Sequence, residues 1–232
     1  MDVKGTQWTS LIDFPDHVAT VIFLPGCNFQ CGFCYNVELV KSPETLPSMD
    51  ETLLFTELER RKKLIEGVSI TGGEPTLQTD LPEFISKIRE LGLLIKLDTN
   101  GTNPKMLQKL IEKKQLDFIA MDIKSSRERY EEAAGCKVDL SAIEKSIELI
   151  KNSGIDYEFR STVHPKIYSK EDALRIGEWL KGARKYVLQQ FKPMKGTINP
   201  EFEKVKAYSK SELEEMAESL KPFFGKVEIR NV

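Results

Sequence analysis

The chain has 232 residues, with 34 Lys and Arg against 36 Asp and Glu and a formal net charge of −2. That length supports one sizeable core, and near-neutrality excludes the global basic field that gathers nucleic acid. "MDVKGTQWTS" contains no apolar signal region and no apolar run approaches a membrane span, so a soluble cytoplasmic protein without membrane or nucleic-acid partners is expected. The first apolar, β-branched run is "HVATVIFL" (17–24). It leads into a loop, residues 26–36, that holds Cys27, Cys31 and Cys34 in CxxxCxxC spacing. A helical segment near 50–65 follows, and its "RRKK" at 60–63 reads as a solvated face. Next come "GVSIT" (67–71) and a helix at 80–91, capped by Asp80 or Thr79, with Pro82 in its first turn and Gly92 at its end. Strand-like runs then alternate with helical ones: "LLIKLD" (93–98), 104–114, "LDFIAMD" (116–122), 139–152, "DYEFRSTV" (156–163), 170–181 and "KYVLQQF" (185–191). The tail "GKVEIRNV" can add a last strand.

Alternation of this kind implies a parallel sheet with right-handed crossovers. Six strands suit either a doubly wound sheet or a partial barrel. The unusual residues decide between them, because "TGGEP", "DTNG", "DIK" and "STVHP" each fall at the C-terminal end of a strand. A β/α barrel builds its site on that face. The expected fold is therefore α/β, a partial (β/α)6 TIM-like barrel of parallel strands. With no linker-like stretch and no internal repeat, residues 1–232 form one domain in this reading.

Three cysteines within eight positions of a cytoplasmic chain point to a metal or to catalysis rather than to a disulfide framework. A structural zinc site closes four ligands, and here the fourth must come from Cys136, His17 or His164. A 4Fe–4S cluster instead uses three thiolates on three irons and leaves the fourth iron open to a substrate or cofactor. Cys136 follows a helix that Gly135 can end, and reads as a small, partly buried cysteine outside the ligand set. Zinc stays open as the alternative at this point.

CxxxCxxC followed after a helix and strand by "TGGEP" resembles the radical S-adenosylmethionine superfamily, whose core is a partial β/α barrel. The segments "SLIDFPDHVATVIFLPGCNFQCGFCYN", "TGGEPTLQTDL", "KLDTNG", "MDIK", "YEFRSTV" and "YVLQQFKP" extend the resemblance. They are similar to anaerobic ribonucleotide reductase activating proteins, glycyl-radical enzyme activases related to the pyruvate formate-lyase activating enzymes. The resemblance implies one 4Fe–4S cluster on Cys27, Cys31 and Cys34 and S-adenosylmethionine chelating the open iron. It also implies a 5′-deoxyadenosyl radical that removes hydrogen from a glycine of a partner, the anaerobic reductase. The electron comes from a low-potential donor of the flavodoxin or ferredoxin type.

Further residues take roles from the same resemblance. Phe33 matches an aromatic position over the adenine, although an ordinary core phenylalanine competes with that reading. Tyr35, followed by Asn36, stands where relatives often carry His-Asn. Gly72, Gly73 and Glu74 match the segment that receives the methionine amino group. Asp98 and Asp122, with Thr99 and the Met121 carbonyl, resemble a monovalent-cation site. The Asp122 and Lys124 pair matches a ribose and carboxylate contact, against an exposed ion-paired lysine. Arg160 and Thr162 share a strand face, where a buried guanidinium needs an anion or a partner such as Glu158. Phe191 and Lys192 stand where formate-lyase activases have Phe-His near the adenine. The rival functions are an activase for another glycyl-radical enzyme, a small-molecule enzyme resembling 7-carboxy-7-deazaguanine synthase, and a metal-binding module without catalysis.

Overall fold

The computed structural model describes residues 1–231. Among them, eight strands form one sheet in chain order: β1 (Gly5–Ser10), β2 (Ala19–Leu24), β3 (Gly67–Gly72), β4 (Leu94–Thr99), β5 (Phe118–Asp122), β6 (Asp156–Val163), β7 (Lys185–Gln190) and β8 (Lys226–Arg230). β2 to β8 are parallel, while β1 pairs antiparallel with β2. The six expected parallel strands are β2 to β7, and the tail does add β8. β1 was not expected. The sheet does not close, because β1 and β8 each pair on one side only.

Between the strands lie α1 (Val37–Lys41), α2 (Glu51–Arg61), α3 (Leu81–Glu90), α4 (Pro104–Glu112), α5 (Tyr130–Ala134), α6 (Leu140–Asn152), α7 (Lys170–Trp179) and α8 (Lys210–Leu220). Local chemistry fixes their starts. The Asp50 carboxylate accepts the Leu53 N–H, Asn103 accepts that of Met106, and Ser169 with Asp172 forms a capping box on α7. Asp80 does stand at the start of α3, but its side chain makes no cap bond and lies 3.1 Å from the Met1 ammonium. Helices α3 and α4 turn Phe84, Ile85, Ile88, Leu107 and Leu110 onto the sheet, burying them completely or nearly so. No helix among the described residues is long and apolar enough to cross a membrane.

The two faces of the sheet differ in chemistry. On β6, Tyr157, Phe159 and Val163 are buried apolar residues, while Glu158, Arg160 and Thr162 alternate with them on the inner face. Ser69 of β3, Lys96 and Asp98 of β4, Asp122 of β5 and Arg230 of β8 join that inner face through hydrogen bonds and ion pairs. A polar channel therefore runs up the inside toward the C-terminal strand ends.

Candidate active site

The cysteine loop leaves β2 at Leu24 and is docked at both ends. Gly26 N–H donates to the Leu39 carbonyl at 2.8 Å, and Gln30 N–H donates to the Ala134 carbonyl at the end of α5, also at 2.8 Å. Gly135 completes that junction with a φ of +69°, and a Cβ there would stand 2.3 Å from the Gln30 carbonyl oxygen. Cys31 is buried, and Cys27 and Cys34 are half-buried. The Phe29 N–H lies 3.4 Å from Cys27 Sγ, and Asn100 Nδ2 approaches the same sulfur at 3.9 Å. Burial pushes the Cys27 thiol up to about 11 and the Cys31 thiol to about 12, and it raises Cys34 as well. In this pocket the thiolate form needs a bound cation, which an iron cluster supplies. Each cysteine of such a cluster serves a different iron, so the three sulfurs need not converge on one atom. Among the described residues no three His, Cys, Asp or Glu side chains do so converge. The donor set and the N–H groups aimed at sulfur fit a cluster. Cys136 packs behind the loop, its thiol donating to the Asn28 carbonyl at 3.4 Å.

The end of β3 presses against this loop. Gly73 N–H donates to the Leu24 carbonyl at 2.9 Å, and Glu74 N–H donates to the Gly26 carbonyl at 2.7 Å. A Cβ on Gly73 would fall 1.8 Å from the Gly26 oxygen, so only glycine permits the approach. The Glu74 side chain is held by neighbouring residues. Its carboxylate is buried and accepts the N–H and hydroxyl of Thr76, the Thr99 hydroxyl at 2.7 Å and the Asn100 N–H at 2.6 Å. All these donors belong to the protein, so the carboxylate ties the β3 and β4 ends together. Burial raises its pKa, and the surrounding donors oppose the rise.

Asp98 and Asp122 do face one cavity, and both are ion-paired there. Arg160 bridges them, with Nη2 3.2 Å from Asp98 and Nε bonded to Asp122. The other Asp98 oxygen takes the Lys96 ammonium, and the other Asp122 oxygen takes Lys124 Nζ at 2.9 Å. Every carboxylate oxygen thus faces a fixed cation. Burial alone would raise both carboxyls, but Arg160 with Lys96 or Lys124 holds each below the usual range. Burial also works against the charge on Lys124, and Asp122 keeps it protonated. Three cations against two carboxylates leave one positive charge in excess. Glu158 is not the main partner of Arg160, because it makes a bidentate pair with Arg230 at 2.7 Å.

The remaining residues complete the wall. Phe33 is buried, its ring 6.2 Å from that of Phe202, with Lys124 Nζ 5.9 Å from its centre. The Tyr35 ring stacks on Phe191 at 5.6 Å, and its hydroxyl donates to the Lys192 carbonyl. Of the residues expected at the site, all but Met121 line one cavity of about 400 Å³, from Cys27, Cys31 and Cys34 through Gly72, Gly73 and Glu74 to Thr162 and Lys192. Sequence reasoning missed Lys96 and Asn100. Both carried a signal, since Lys96 interrupts an apolar strand two positions before Asp98 and Asn100 belongs to "DTNG".

The sheet, the cysteine loop and the cavity together define a radical S-adenosylmethionine enzyme. The profile of the Radical SAM superfamily matches residues 21–187, and the chain belongs to that superfamily. Membership implies a 4Fe–4S cluster and S-adenosylmethionine. A protein of Methanocaldococcus jannaschii, named as a candidate glycyl-radical enzyme activating enzyme, is 33% identical over 235 residues, covering 99% of this chain and 96% of its own length. A Sulfolobus acidocaldarius protein, named as a candidate GTP 3′,8-cyclase, is 35% identical over 132 residues, which are 56% of this chain and 41% of the cyclase. Among solved structures, Streptococcus suis SuiB bound to S-adenosylmethionine superposes with a TM-score of 0.67 at 16% identity, over 91% of this chain and 52% of SuiB. SuiB bound to its precursor peptide SuiA gives a TM-score of 0.70 at 16% identity, over 91% of this chain and 48% of SuiB. The chain spans about half the length of SuiB, and the likeness to SuiB is one of fold.

Proposed function

We propose that this chain is a glycyl-radical enzyme activase whose protein substrate is an anaerobic ribonucleotide reductase. The carrying observation is the match over 99% of this chain to the M. jannaschii protein, against 56% for the cyclase. The peptide carried by SuiB, on a shared fold, is in keeping with a polypeptide substrate. When bound, the cluster and S-adenosylmethionine would supply the one-electron radical chemistry needed to take a hydrogen atom from the substrate glycine.

The chain's own residues hold and orient these groups. Cys27, Cys31 and Cys34 are the proposed cluster ligands. The excess positive charge shared by Lys96, Arg160 and Lys124 suits the carboxylate of S-adenosylmethionine, with Lys124 reaching between Asp122 and the Phe33 ring. The Gly72 and Gly73 backbone allows the methionine end to approach the strand edge closely. Thr162, Tyr35 and Lys192 line the same cavity and are proposed to contact the nucleoside. The unclosed edge between β1 and β8 leaves room for a loop of another protein to enter.

Deuterium transfer tests this reading. A reductase labelled with α-deuterated glycine is expected to yield 5′-deoxyadenosine one mass unit heavier, with unlabelled enzyme as the control. Label arriving from a deuterated nucleotide and never from glycine would favour the small-molecule reading to which the cyclase relative points.

A further inference from the structure

Among the described residues, Asn100 is the one side chain that donates toward the sulfur of a loop cysteine. It follows β4 in "DTNG" and is only 5% exposed. Its backbone N–H donates to the buried Glu74 carboxylate at 2.6 Å, and Gly101 turns the chain directly after it with a φ of +78°. The backbone of Asn100 is therefore fixed from both sides.

The direction of its amide is fixed as well. The Thr102 backbone N–H lies 3.0 Å from one amide atom, and an N–H can only donate, so that atom is Oδ1. Nδ2 then takes the other position, 2.9 Å from Asn28 Oδ1 and 3.9 Å from Cys27 Sγ. Asn28 Nδ2 donates in turn to Thr102 Oγ1 at 2.9 Å, and the Thr102 hydroxyl returns to Asn100 Oδ1 at 2.7 Å. Turning over either amide would set donor against donor. One Nδ2 hydrogen closes this ring of three side chains, and the second is left for the Cys27 sulfur.

We infer that Asn100 raises the reduction potential of the cluster, through an amide hydrogen bond to Cys27 that Asn28 and Thr102 hold in place. The reduced cluster carries one more negative charge than the oxidised one, so an N–H donor at a ligand sulfur stabilises the reduced state more. Cys27 also takes the Phe29 N–H at 3.4 Å. The Glu74 carboxylate acts in the opposite sense, disfavouring negative charge at Cys27, and Asn100 is bonded to that carboxylate too. Its amide offsets the carboxylate. Asn100 is thus a positioning residue that acts through Cys27. The inference rests on Cys27 being a cluster ligand and not on the identity of the radical acceptor.

The test is the midpoint potential of the reconstituted cluster, measured anaerobically against redox dyes with neither S-adenosylmethionine nor a partner protein present. Asn100→Ala is expected to lower the equilibrium constant for one-electron reduction about tenfold, a fall of about 59 mV. Thr102→Val keeps the Asn100 amide but removes the hydroxyl that braces it, and is expected to give a smaller fall. Cys136→Ser alters the outer side of the same loop and is expected to keep the wild-type potential. A residue that only supported the fold would lower cluster occupancy or the melting temperature and leave the potential of the assembled cluster unchanged. A potential in Asn100→Ala equal to or above that of wild type, or an equal fall in Cys136→Ser, overturns the inference. If Asn100→Ala assembles no cluster, the Asn28→Ala, Thr102→Val double variant decides, a lowered potential supporting the inference and an unchanged one overturning it. Wild-type protein that forms no iron–sulfur chromophore would overturn the cluster assignment and this inference with it, so absorbance tells the two failures apart.

Discussion

Cys31→Ala should lose essentially all reconstituted iron–sulfur absorbance, and cleavage of S-adenosylmethionine should fall to background. Cys31 is the most deeply buried of the three loop cysteines, and a methyl group cannot fill the coordination position left on its iron. A thiol raised to about 12 by burial ionises only when a cation compensates, so its deprotonation is coupled to cluster assembly. Cys27→Ala and Cys34→Ala should behave alike. Cys136→Ser should keep the cluster, because that thiol bonds the outside of the loop at the Asn28 carbonyl. Retained absorbance in Cys31→Ala, or loss in Cys136→Ser, would reassign the ligands.

Arg160→Met should be the most damaging change to stability outside the cysteine loop. It removes the cation that bridges Asp98 and Asp122 and leaves two carboxylates facing only Lys96 and Lys124. Breaking a buried ion pair from one side costs about 3–5 kcal/mol, which for a chain of this size lowers the melting temperature by roughly 10 °C. The pH dependence follows from the depressed carboxyls. Both fold with pKa values below their unfolded ones, so the ion-pair stabilisation is complete above the ordinary aspartate range and is lost as pH falls from that range toward the depressed folded-state values. The gap between wild type and variant should therefore be full at pH 7 and narrow below about pH 4. Arg160→Lys keeps the charge but cannot fork to both carboxylates, and should recover only part of the loss. A melting curve that matches wild type at pH 7 would show that the bridge carries no stability.

Much of this fold was legible because its parallel strands are apolar on the side that meets the helices. "HVATVIFL" and "LDFIAMD" each end within a residue of the strand they predict. β1 was illegible because "GTQWTS" has little apolar pattern, and pairing with β2 rather than its own burial makes it a strand. The cysteine loop was read from spacing alone, since ligands on one tight loop are local in sequence. The partners of Asp98, Asp122 and Glu74 were not legible. Arg160 reaches Asp98 from two strands away, and the Asn100 N–H meets Glu74 across a strand-end contact 26 residues apart. An aspartate pair read from sequence alone gives no sign of the ion pairs that Lys96, Arg160 and Lys124 make with it. The contact between the Phe202 ring and Gly32 was illegible for the same reason, because the two meet only after the sheet has folded.

The central claim is the identity of the radical acceptor, and electron paramagnetic resonance tests it most directly. Reduced enzyme, S-adenosylmethionine and an anaerobic ribonucleotide reductase, mixed without oxygen, should give a glycyl doublet at no more than roughly one spin per active site, and the doublet should vanish when the reductase's radical glycine is changed to alanine. A doublet seen only with a formate-lyase-type partner would move the activity to another glycyl-radical enzyme, and turnover of a small molecule with no protein radical under any condition would contradict the account.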